Sequence, residues 1–325
     1  MQIDNSRARA PSPATVAAST GLIVMVWAFN FIAAKIGLHT LPGLAMASFR
    51  VLLAGIVMVP TYLLCIRLPA FAEAAAAYRR GFTMRDLWTF VYLGFLGVCV
   101  NQLCFTVGLQ FTSVGHAAVI VGLGPFYVLV FAVLFRLETA TCRKITGMLI
   151  AITGVGMLAT ESTRNAGASS LLGDAIVMTG SVGFAMYVVL GKRVAGKYDS
   201  LTMTAFNHFA GALLVLPVAL YMALKMDMAG NLRGQPWQAW AAVIYMAVFS
   251  SALAYVFYFW LLRYLEASQL SAFTYILPVV ATILGILWLG EKGSWGQVLG
   301  RALALGGVYW IESGRAAVVK AIAAP

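Results

Sequence analysis

The chain of 325 residues is 62% hydrophobic and only 10% charged, and it has a formal net charge of +11. Water-soluble domains carry roughly 25% charged residues, so this composition excludes a soluble globule and predicts an all-α integral membrane protein. The surplus of Lys and Arg lies in short segments between apolar runs, which indicates orientation in a bilayer rather than binding of nucleic acid.

Ten apolar runs are each long enough to cross about 30 Å of hydrocarbon as a helix. A polar segment at residues 1–14 precedes them and predicts a disordered tail, and a second tail is expected at residues 316–325. The runs are 16–37, 44–66, 87–109, 113–136, 142–160, 171–191, 200–223, 238–262, 267–289 and 294–313. The sequence therefore predicts ten transmembrane helices.

The basic residues are divided unevenly between the two sides of such a bundle. With the N-terminus inside, the inside segments contain 15 of the 22 Lys and Arg residues, and the outside loops contain 4. Segments rich in Lys and Arg remain in the cytoplasm. We therefore expect a multi-pass protein of the cell inner (plasma) membrane with both termini in the cytoplasm.

The two halves of the chain repeat each other at an offset of 153 positions. At this offset the residues that interrupt the apolar runs coincide: Pro125 with Pro278, Glu138 with Glu291, Gly147 with Gly300, and Gly154 with Gly307. Five runs per half is an odd number, so the second half enters the membrane from the opposite side. The pattern predicts two inverted five-helix repeats, at 15–161 and 170–315, which is typical of secondary transporters.

A proline interrupts one run of each half near its middle. Pro125 and Pro278 each remove a backbone hydrogen bond, which frees the carbonyls of Val121 and Thr274. In lipid such a break is tolerated where it faces protein or a wet cavity. We expect both broken helices to line a substrate pathway near the midplane, although kinks that only improve packing would leave the same pattern.

Short motifs occur in a fixed order along nearly the whole chain: Trp27, Asn30-Phe31, Lys35, Phe49-Arg50, Gly108-Leu109, Thr112-Ser113, Pro125, Glu138, Gly147, Ala267-Ser268, Pro278, Gly290-Glu291, Gly300 and Gly306-Gly307. Their order and spacing resemble the drug/metabolite transporter superfamily, in particular the EamA-type exporters. The resemblance implies ten transmembrane helices and export of small metabolites, amino acids or drug-like compounds. One departure is Arg136-Leu137-Glu138, where the family usually has a Leu-Gly pair before the glutamate. We expect a stiffer or shifted turn there.

Ionisable residues within apolar runs are candidates for charge or proton sites. Lys35 and Arg50 either attract an anionic group of a solute, or snorkel to the interface and pair with backbone carbonyls. His116 and His208 either carry a proton or serve as hydrogen-bonded packing residues. No Asp or Glu lies near the middle of a run, so proton-coupled transport and uniport are both open.

Uncharged polar and aromatic residues complete the expected pathway. Asn30 and Asn101 lie too deep to snorkel, so they either line the pathway or bond between helices. Tyr275 lies one turn before the second proline and is expected in the cavity wall. The pathway candidates are Asn30, Asn101, His116, Pro125, Tyr275 and Pro278, and the candidates for charge or proton sites are Lys35, Arg50 and His208.

No pattern for ATP binding, zinc hydrolysis or a nucleophile elbow is present, and the four cysteines lack metal-site spacing. We expect no cofactor, no metal and no enzymatic activity. The expected function is secondary transport of a small organic solute, amino-acid-like or drug-like, by alternating access, with export favoured. The alternatives are a membrane enzyme acting on lipid-linked substrates and a non-transporting scaffold or sensor. The expected partners are the solute and the lipid bilayer, with the protein a monomer or homodimer.

Overall fold

A computed structural model describes residues 11–112, 117, 120–163, 171–228, 230–277, 279–280 and 295–323. Within these ranges the chain forms helices and turns but no strand, because a backbone in hydrocarbon must satisfy its own hydrogen bonds. In chain order the helices are α1 (Pro13–Leu38), α2 (Gly43–Cys65), α3 (Ala72–Arg80), α4 (Met84–Phe111), α5 (Gly124–Leu134), α6 (Cys142–Thr163), α7 (Leu171–Val194), α8 (Ser200–Met228), α9 (Trp237–Tyr264), α10 (Ala267–Ala272) and α11 (Trp295–Ala323).

Six of the described helices are long and apolar enough to cross a membrane, namely α1, α2, α4, α7, α8 and α9. Shorter apolar helices, Ile120–Leu134 and Val298–Ile311, lie within two further expected runs, and α6 coincides with another. The total of ten stays a prediction, because residues 281–294 lie outside the described chain. Helix α11 continues to Ala323, through the segment expected as a tail, since its alanine-rich end favours helix.

The bounds of the helices repeat with the offset seen in the sequence. Shifted by 153 positions, α4 (Met84–Phe111) coincides end for end with α9 (Trp237–Tyr264), and α6 falls within α11. Both α4 and α9 contain a π-helical segment in the middle, at Gly94–Val100 and Met246–Leu253. Such segments loosen the regular hydrogen-bond ladder and are frequent at functional sites.

Glycines that the repeat matches form the contact between α6 and α11. A Cβ placed on Gly154 would lie 2.5 Å from the carbonyl oxygen of Gly300, and a Cβ on Gly307 would lie 2.5 Å from the carbonyl oxygen of Gly147. The two backbones therefore touch directly, and the helices run in opposite directions. Small residues permit this approach, which is how helices pack where lipid supplies no hydrophobic driving force between them.

Candidate functional site

A cavity lies between helices of both halves of the chain. Its empty space, counted together with the part that is open to the outside, is about 770 Å³. Helices α1, α2, α4 and α5 of the first half and α7, α9 and the segment after α9 of the second half form its wall. The π-helical segments of α4 and α9 end at this wall, beside Asn101 and Tyr255.

Three residues expected in a pathway line this cavity: Asn30, Asn101 and Pro125. Pro125 lies in the first turn of α5, after a turn at Leu123. It has no N–H to donate to the carbonyl of Val121, which also lies in the wall. Asn101 donates from Nδ2 to the carbonyl of Gly180 (3.1 Å). The break in α5 is therefore at the cavity, where a freed carbonyl has space for a polar partner.

The remaining pathway candidates do not lie in the described wall. Tyr275 is fully buried outside it, and Thr274 lines the cavity instead. The reason is local, because Phe273–Tyr275 is a 3₁₀ turn, which rotates successive side chains by more than an α-helix does. His116 and Pro278 lie outside the described residues.

The candidate charge sites occupy three different environments. Lys35 is exposed and lies outside the cavity wall, which fits the snorkelling alternative. His208 is fully buried behind the wall, with Nδ1 2.9 Å from the carbonyl oxygen of Thr204 and its ring edge-on to Tyr255. This environment fits a packing role, and a proton-carrying role stays a prediction. Arg50 is buried and lines the cavity, so it does not snorkel.

Arg50 is held by side chains of the other half. Its Nε donates to Ser251 Oγ at 2.9 Å, and Nη2 lies 3.5 Å from Ser250 Oγ. Ser251 Oγ in turn lies 2.9 Å from Gln102 Oε1. No carboxylate of the described residues pairs with Arg50. The network joins α2, α4 and α9 around a cation at the cavity wall.

The two serines were missed by sequence reasoning. They lie in the π-helical segment of α9, whose widened turn brings both hydroxyls to Arg50 and directs the Ser250 carbonyl to Trp27 Nε1 at 3.1 Å. The available signal was a pair of adjacent serines, Ser250-Ser251, inside an otherwise apolar run. Gln102 lies deep within its apolar run, but its hydrogen-bond partner could not be assigned from sequence.

Aromatic side chains close the cavity in one direction. Trp27 and Phe184 of the wall contact Tyr258, with ring centroids 5.6 and 5.7 Å apart. Tyr187 contacts Phe259 at 5.1 Å, edge to face. All of these except Trp27 and Phe184 are almost fully buried. We call these five residues the aromatic layer.

The aromatic layer and the turns beyond it separate the cavity from one end of the bundle. On α5, successive turns lead from Pro125 in the wall, through buried Ala132, to Glu138 beyond the helix. On α9, the chain runs toward the same end, from Tyr255 in the wall to buried Leu262 near the end of the helix. Roughly two helical turns of packed apolar residues therefore lie between the cavity and the Glu138 end.

Ion pairs and hydrogen bonds among four residues connect the helices at this end of the bundle. We call these residues, Glu138, Lys144, Glu266 and Ser268, the Glu138 cluster. Lys144 Nζ lies 2.9 Å from Glu138 Oε2 and 2.6 Å from Glu266 Oε2. Glu138 also accepts the backbone N–H of Ser268 (3.1 Å) and the Ser268 hydroxyl. Since Glu138 is only 4% exposed, these charge-assisted bonds are shielded from water and join the first half to the start of α10.

Two basic residues of α7 cap neighbouring helices at the same end. Lys192 Nζ donates to the carbonyl oxygens of Leu262 (2.6 Å) and Leu265 (2.7 Å) at the end of α9. Arg193 Nη2 donates to the carbonyl oxygen of Phe135 (3.1 Å) after α5. Cations in these positions satisfy orphan carbonyls and interact favourably with the helix dipole.

A further contact between the halves lies at the start of α4. Thr83 and Asp86 form a capping box, and Asp86 also accepts hydrogen bonds from Lys197 and Tyr198 in the turn after α7. The hydrogen bond to Asp86 raises the pKa of Lys197 above its ordinary value. Lys197 is therefore a cation at neutral pH and keeps this contact charged.

The turn before Glu138 has an unusual sequence. Arg136 has φ +58°, in the left-handed region that glycine favours. Leu137 N–H donates to the carbonyl of Ala132 (2.8 Å), and Arg136 N–H donates to that of Val133 (2.9 Å). This is a Schellman motif with arginine at the position usually held by glycine. The left-handed residue is thus Arg136, one position before the glycine of the usual Leu-Gly pair, and Glu138 reaches its partners.

Replacing Arg136 by glycine should stabilise the protein by about 1 kcal/mol, because glycine adopts the left-handed conformation without the steric clash of a Cβ atom. The measurement is the apparent melting temperature of purified protein in detergent. Arg136→Ala is the matched control, since it removes the charge but keeps the Cβ and should give no such gain. Equal melting temperatures for the glycine and alanine variants would contradict the strain at this residue.

Two similar helical halves around a shared cavity are the arrangement typical of membrane transporters. The chain is a member of the EamA-like transporter family, whose sequence model matches residues 16–160 and again residues 171–313. The family and the names of its relatives indicate transport rather than enzymatic activity.

Several proteins are similar to the chain over most of its length. An uncharacterized transporter of Archaeoglobus fulgidus is 28% identical over 288 residues, which cover 89% of this chain and 95% of that protein. A probable terminal-alkyne amino-acid exporter of Streptantibioticus cattleyicolor is 24% identical, covering 90% and 91%. An uncharacterized inner membrane transporter of Escherichia coli is 28% identical, covering 83% and 81%.

One solved crystal structure has the same fold. It superposes with a TM-score of 0.67 and covers 92% of this chain and 96% of the other, at 16% sequence identity. A likeness at this identity concerns the path of the backbone alone. The particular side chains of the cavity must therefore be argued from this chain.

Proposed function

We propose that the protein is a secondary transporter of the inner membrane that exports small organic metabolites by alternating access. The observation that carries this proposal is the cavity, because its wall is built by both halves of the chain. A site shared by two halves can face either side of the membrane when one half rocks against the other. The cavity residues Asn30, Asn101 and Pro125 form the substrate pathway in this proposal.

An inverted arrangement of the repeats at 15–161 and 170–315 is supported by the crossing of α6 and α11. Gly147 of the first unit meets Gly307, and Gly154 meets Gly300. At the repeat offset, Gly147 corresponds to Gly300 and Gly154 to Gly307. Exchanging the two units therefore maps this pair of contacts onto itself, as a two-fold axis between inverted units requires.

The orientation follows from the basic residues. With both termini in the cytoplasm, the Glu138 end is the cytoplasmic end. The aromatic layer and the Glu138 cluster then close the cavity toward the cytoplasm in this conformation. Loading from the cytoplasm requires the Glu138 cluster to separate and the aromatic layer to part, which is the conformational step of alternating access in this proposal.

The solute is amino-acid-like or drug-like in size. The aromatic walls and amide side chains of the cavity suit such a molecule. A similar protein is named a probable terminal-alkyne amino-acid exporter, which supports outward transport of amino-acid-like compounds. The proposal includes a monomer or homodimer as the transporting unit and requires no cofactor.

Replacing Pro125 by alanine should reduce the rate of transport by about tenfold, the effect of roughly 1.4 kcal/mol on the barrier. Alanine supplies the missing N–H to the Val121 carbonyl and straightens the helix at the cavity wall. The measurement is efflux of a panel of labelled amino acids and related metabolites from liposomes that contain the purified protein.

Pro60→Ala is the matched control, since Pro60 also lies inside a helix but is exposed on the surface of α2. Its rate should equal that of the wild type. If Pro125→Ala transports as fast as Pro60→Ala, the broken helix is not part of the pathway. Absence of flux for every solute, with normally folded protein, would instead favour the membrane-enzyme or scaffold alternative over transport.

A further inference from the structure

We propose that Arg50 binds the carboxylate group of the solute, so that the cavity selects small organic acids, including amino acids, over their neutral analogues. The inference deepens the proposed function and rests on it for the claim that the bound molecule is transported. The site itself is argued from the charges, hydrogen bonds and burial around Arg50.

Arg50 carries a buried charge that no carboxylate of the described chain neutralises. Its residue exposure is 4%, and none of the described carboxylates forms an ion pair with it. A guanidinium withdrawn from water is unfavourable unless a charge of opposite sign compensates it. The two serine hydroxyls that hold it are neutral. The positive charge of Arg50 is therefore not compensated by the described residues, and an anionic ligand would neutralise it.

The contacts of Arg50 orient the guanidinium rather than occupy all of it. Ser251 and Ser250 accept from Nε and Nη2 on one edge, while Nη1 has no hydrogen-bond partner among the residues that the structure describes. Because Arg50 lines the cavity, the remaining donors are available to a ligand there. A guanidinium presents donors in a fork that matches the two oxygens of a carboxylate.

The side-chain amide of Gln102 is a second donor near Arg50 whose acceptor is missing among the described residues. Its Oε1 accepts from Ser251, but its Nε2 is buried and makes no hydrogen bond of ordinary geometry with the residues that the structure describes. Buried polar nitrogens are rarely left unpaired in folded proteins. Gln102 and Arg50 share Ser251 as a partner and both line the cavity. The network therefore offers unpaired donors and a positive charge in one place, which specifies an acceptor with negative charge.

The rest of the wall defines the other part of the ligand. Trp27, Phe31, Phe105, Phe184 and Leu277 give the cavity an apolar surface, and no acidic side chain is among its described lining residues. Solutes with an apolar body and a single carboxylate satisfy both parts. A cationic solute would meet Arg50 without a compensating carboxylate, so like-charge repulsion excludes amines that lack an acid group.

The test measures binding of paired probes to the purified full-length protein in lipid nanodiscs by isothermal titration calorimetry. The probes are short and medium-chain alkanoic acids, 3-phenylpropionic acid and N-acetylated amino acids, each beside its neutral primary amide. We expect at least one acid to bind the wild type about 10- to 100-fold more tightly than its amide, the effect of one charge-assisted hydrogen bond or pair. In Arg50→Gln this preference should disappear, and in Arg50→Lys part of it should remain.

Arg67→Gln is the matched control, because it removes an exposed arginine and should keep the wild-type preference. The ratio of acid to amide affinity is insensitive to a general loss of stability, which would weaken both probes alike. If Arg50→Gln fails to fold, the ratio of acid to amide affinity in Arg50→Lys and in the wild type still tests the proposal. Amides that bind the wild type as tightly as every acid, or an acid preference that survives in Arg50→Gln, would overturn the proposal.

Flux measured with the same probes separates this inference from the proposed function. Acid-selective binding that depends on Arg50, without flux of any acid, supports the carboxylate site and counts against transport. Flux of neutral solutes together with equal binding of acids and amides supports transport and overturns the carboxylate site. Acid-selective binding together with acid-selective flux supports both.

Discussion

Replacing Glu138 by glutamine should open the cavity toward the end of the bundle at which Glu138 lies. The neutral amide loses the charge that attracts Lys144 and weakens the bonds to Ser268. Charge-assisted hydrogen bonds contribute about 1.5–3 kcal/mol each, so the population open at this end should rise about tenfold or more. The reporter is a cysteine at Ser271 in the cavity wall, in a background without native cysteines.

The measurement is the rate at which a membrane-impermeant maleimide modifies this cysteine. In inside-out vesicles, which present the cytoplasmic face, Glu138→Gln should raise the rate about tenfold. In right-side-out vesicles the rate should not rise, because opening at one end accompanies closure at the other. An increase confined to right-side-out vesicles would instead show that the orientation inferred from the basic residues is wrong.

Glu73→Gln provides the control for loss of an acidic side chain. Glu73 pairs with Arg263 at 2.8 Å, but its side chain is 59% exposed, and exposed pairs contribute at most about 1 kcal/mol. The modification rate should therefore match the parent in both vesicle types. If the modification rate of Glu138→Gln equals that of Glu73→Gln, the Glu138 cluster does not hold the cavity closed. The aromatic layer then maintains the closure by itself.

The fold was largely predictable because membrane helices obey simple constraints. Length and hydropathy identify a span, and a gapless repeat requires its two copies to fold alike. The helix bounds of α4 and α9 satisfy the offset of 153 positions, and the glycines that punctuate the repeat are those at which α6 and α11 touch. The positions of these glycines indicate the helix contact because only glycine permits backbones to approach so closely.

The cavity was only partly predictable, since its contacts depend on angles that a sequence does not reveal. Arg50 meets Ser250 and Ser251 across 200 residues because a π-helical segment turns both hydroxyls toward it. The burial of Tyr275 depends on a 3₁₀ turn. Neither irregularity has a reliable residue signature, so the directions of these side chains do not follow from the sequence.

The turn before Glu138 illustrates a different limit. Arg136-Leu137 in place of the Leu-Gly pair predicted a stiffer or shifted turn, and the structure has a Schellman motif whose left-handed residue is Arg136 rather than the residue at the glycine position. The tertiary contacts of Glu138, at the end of this turn, hold the conformation against the steric cost of a left-handed arginine. Local sequence preference is a weak guide where several buried bonds determine the outcome.

Replacing Gly154 by leucine should prevent α6 and α11 from packing and destabilise the protein by about 3 kcal/mol. The new side chain would begin 2.5 Å from the carbonyl oxygen of Gly300 and 2.9 Å from Leu303 Cβ. Backbone atoms cannot move aside as a flexible side chain can, so the helices must separate. The measurement is the apparent melting temperature and the folded yield of purified protein.

Gly156→Leu is the matched control on the same helix, because a Cβ at Gly156 meets nothing within 4 Å and leucine is compatible with a lipid-facing helix surface. It should fold like the wild type. Gly307→Leu should reproduce the defect of Gly154→Leu, since a Cβ on Gly307 would lie 2.5 Å from the carbonyl oxygen of Gly147 and 2.6 Å from Ala151 N. Gly154 and Gly307 correspond in the repeat, so equal losses mean that both units contribute equally to the crossing. A loss in one variant only would show that the repeat in sequence is not matched by an equivalent pair of contacts.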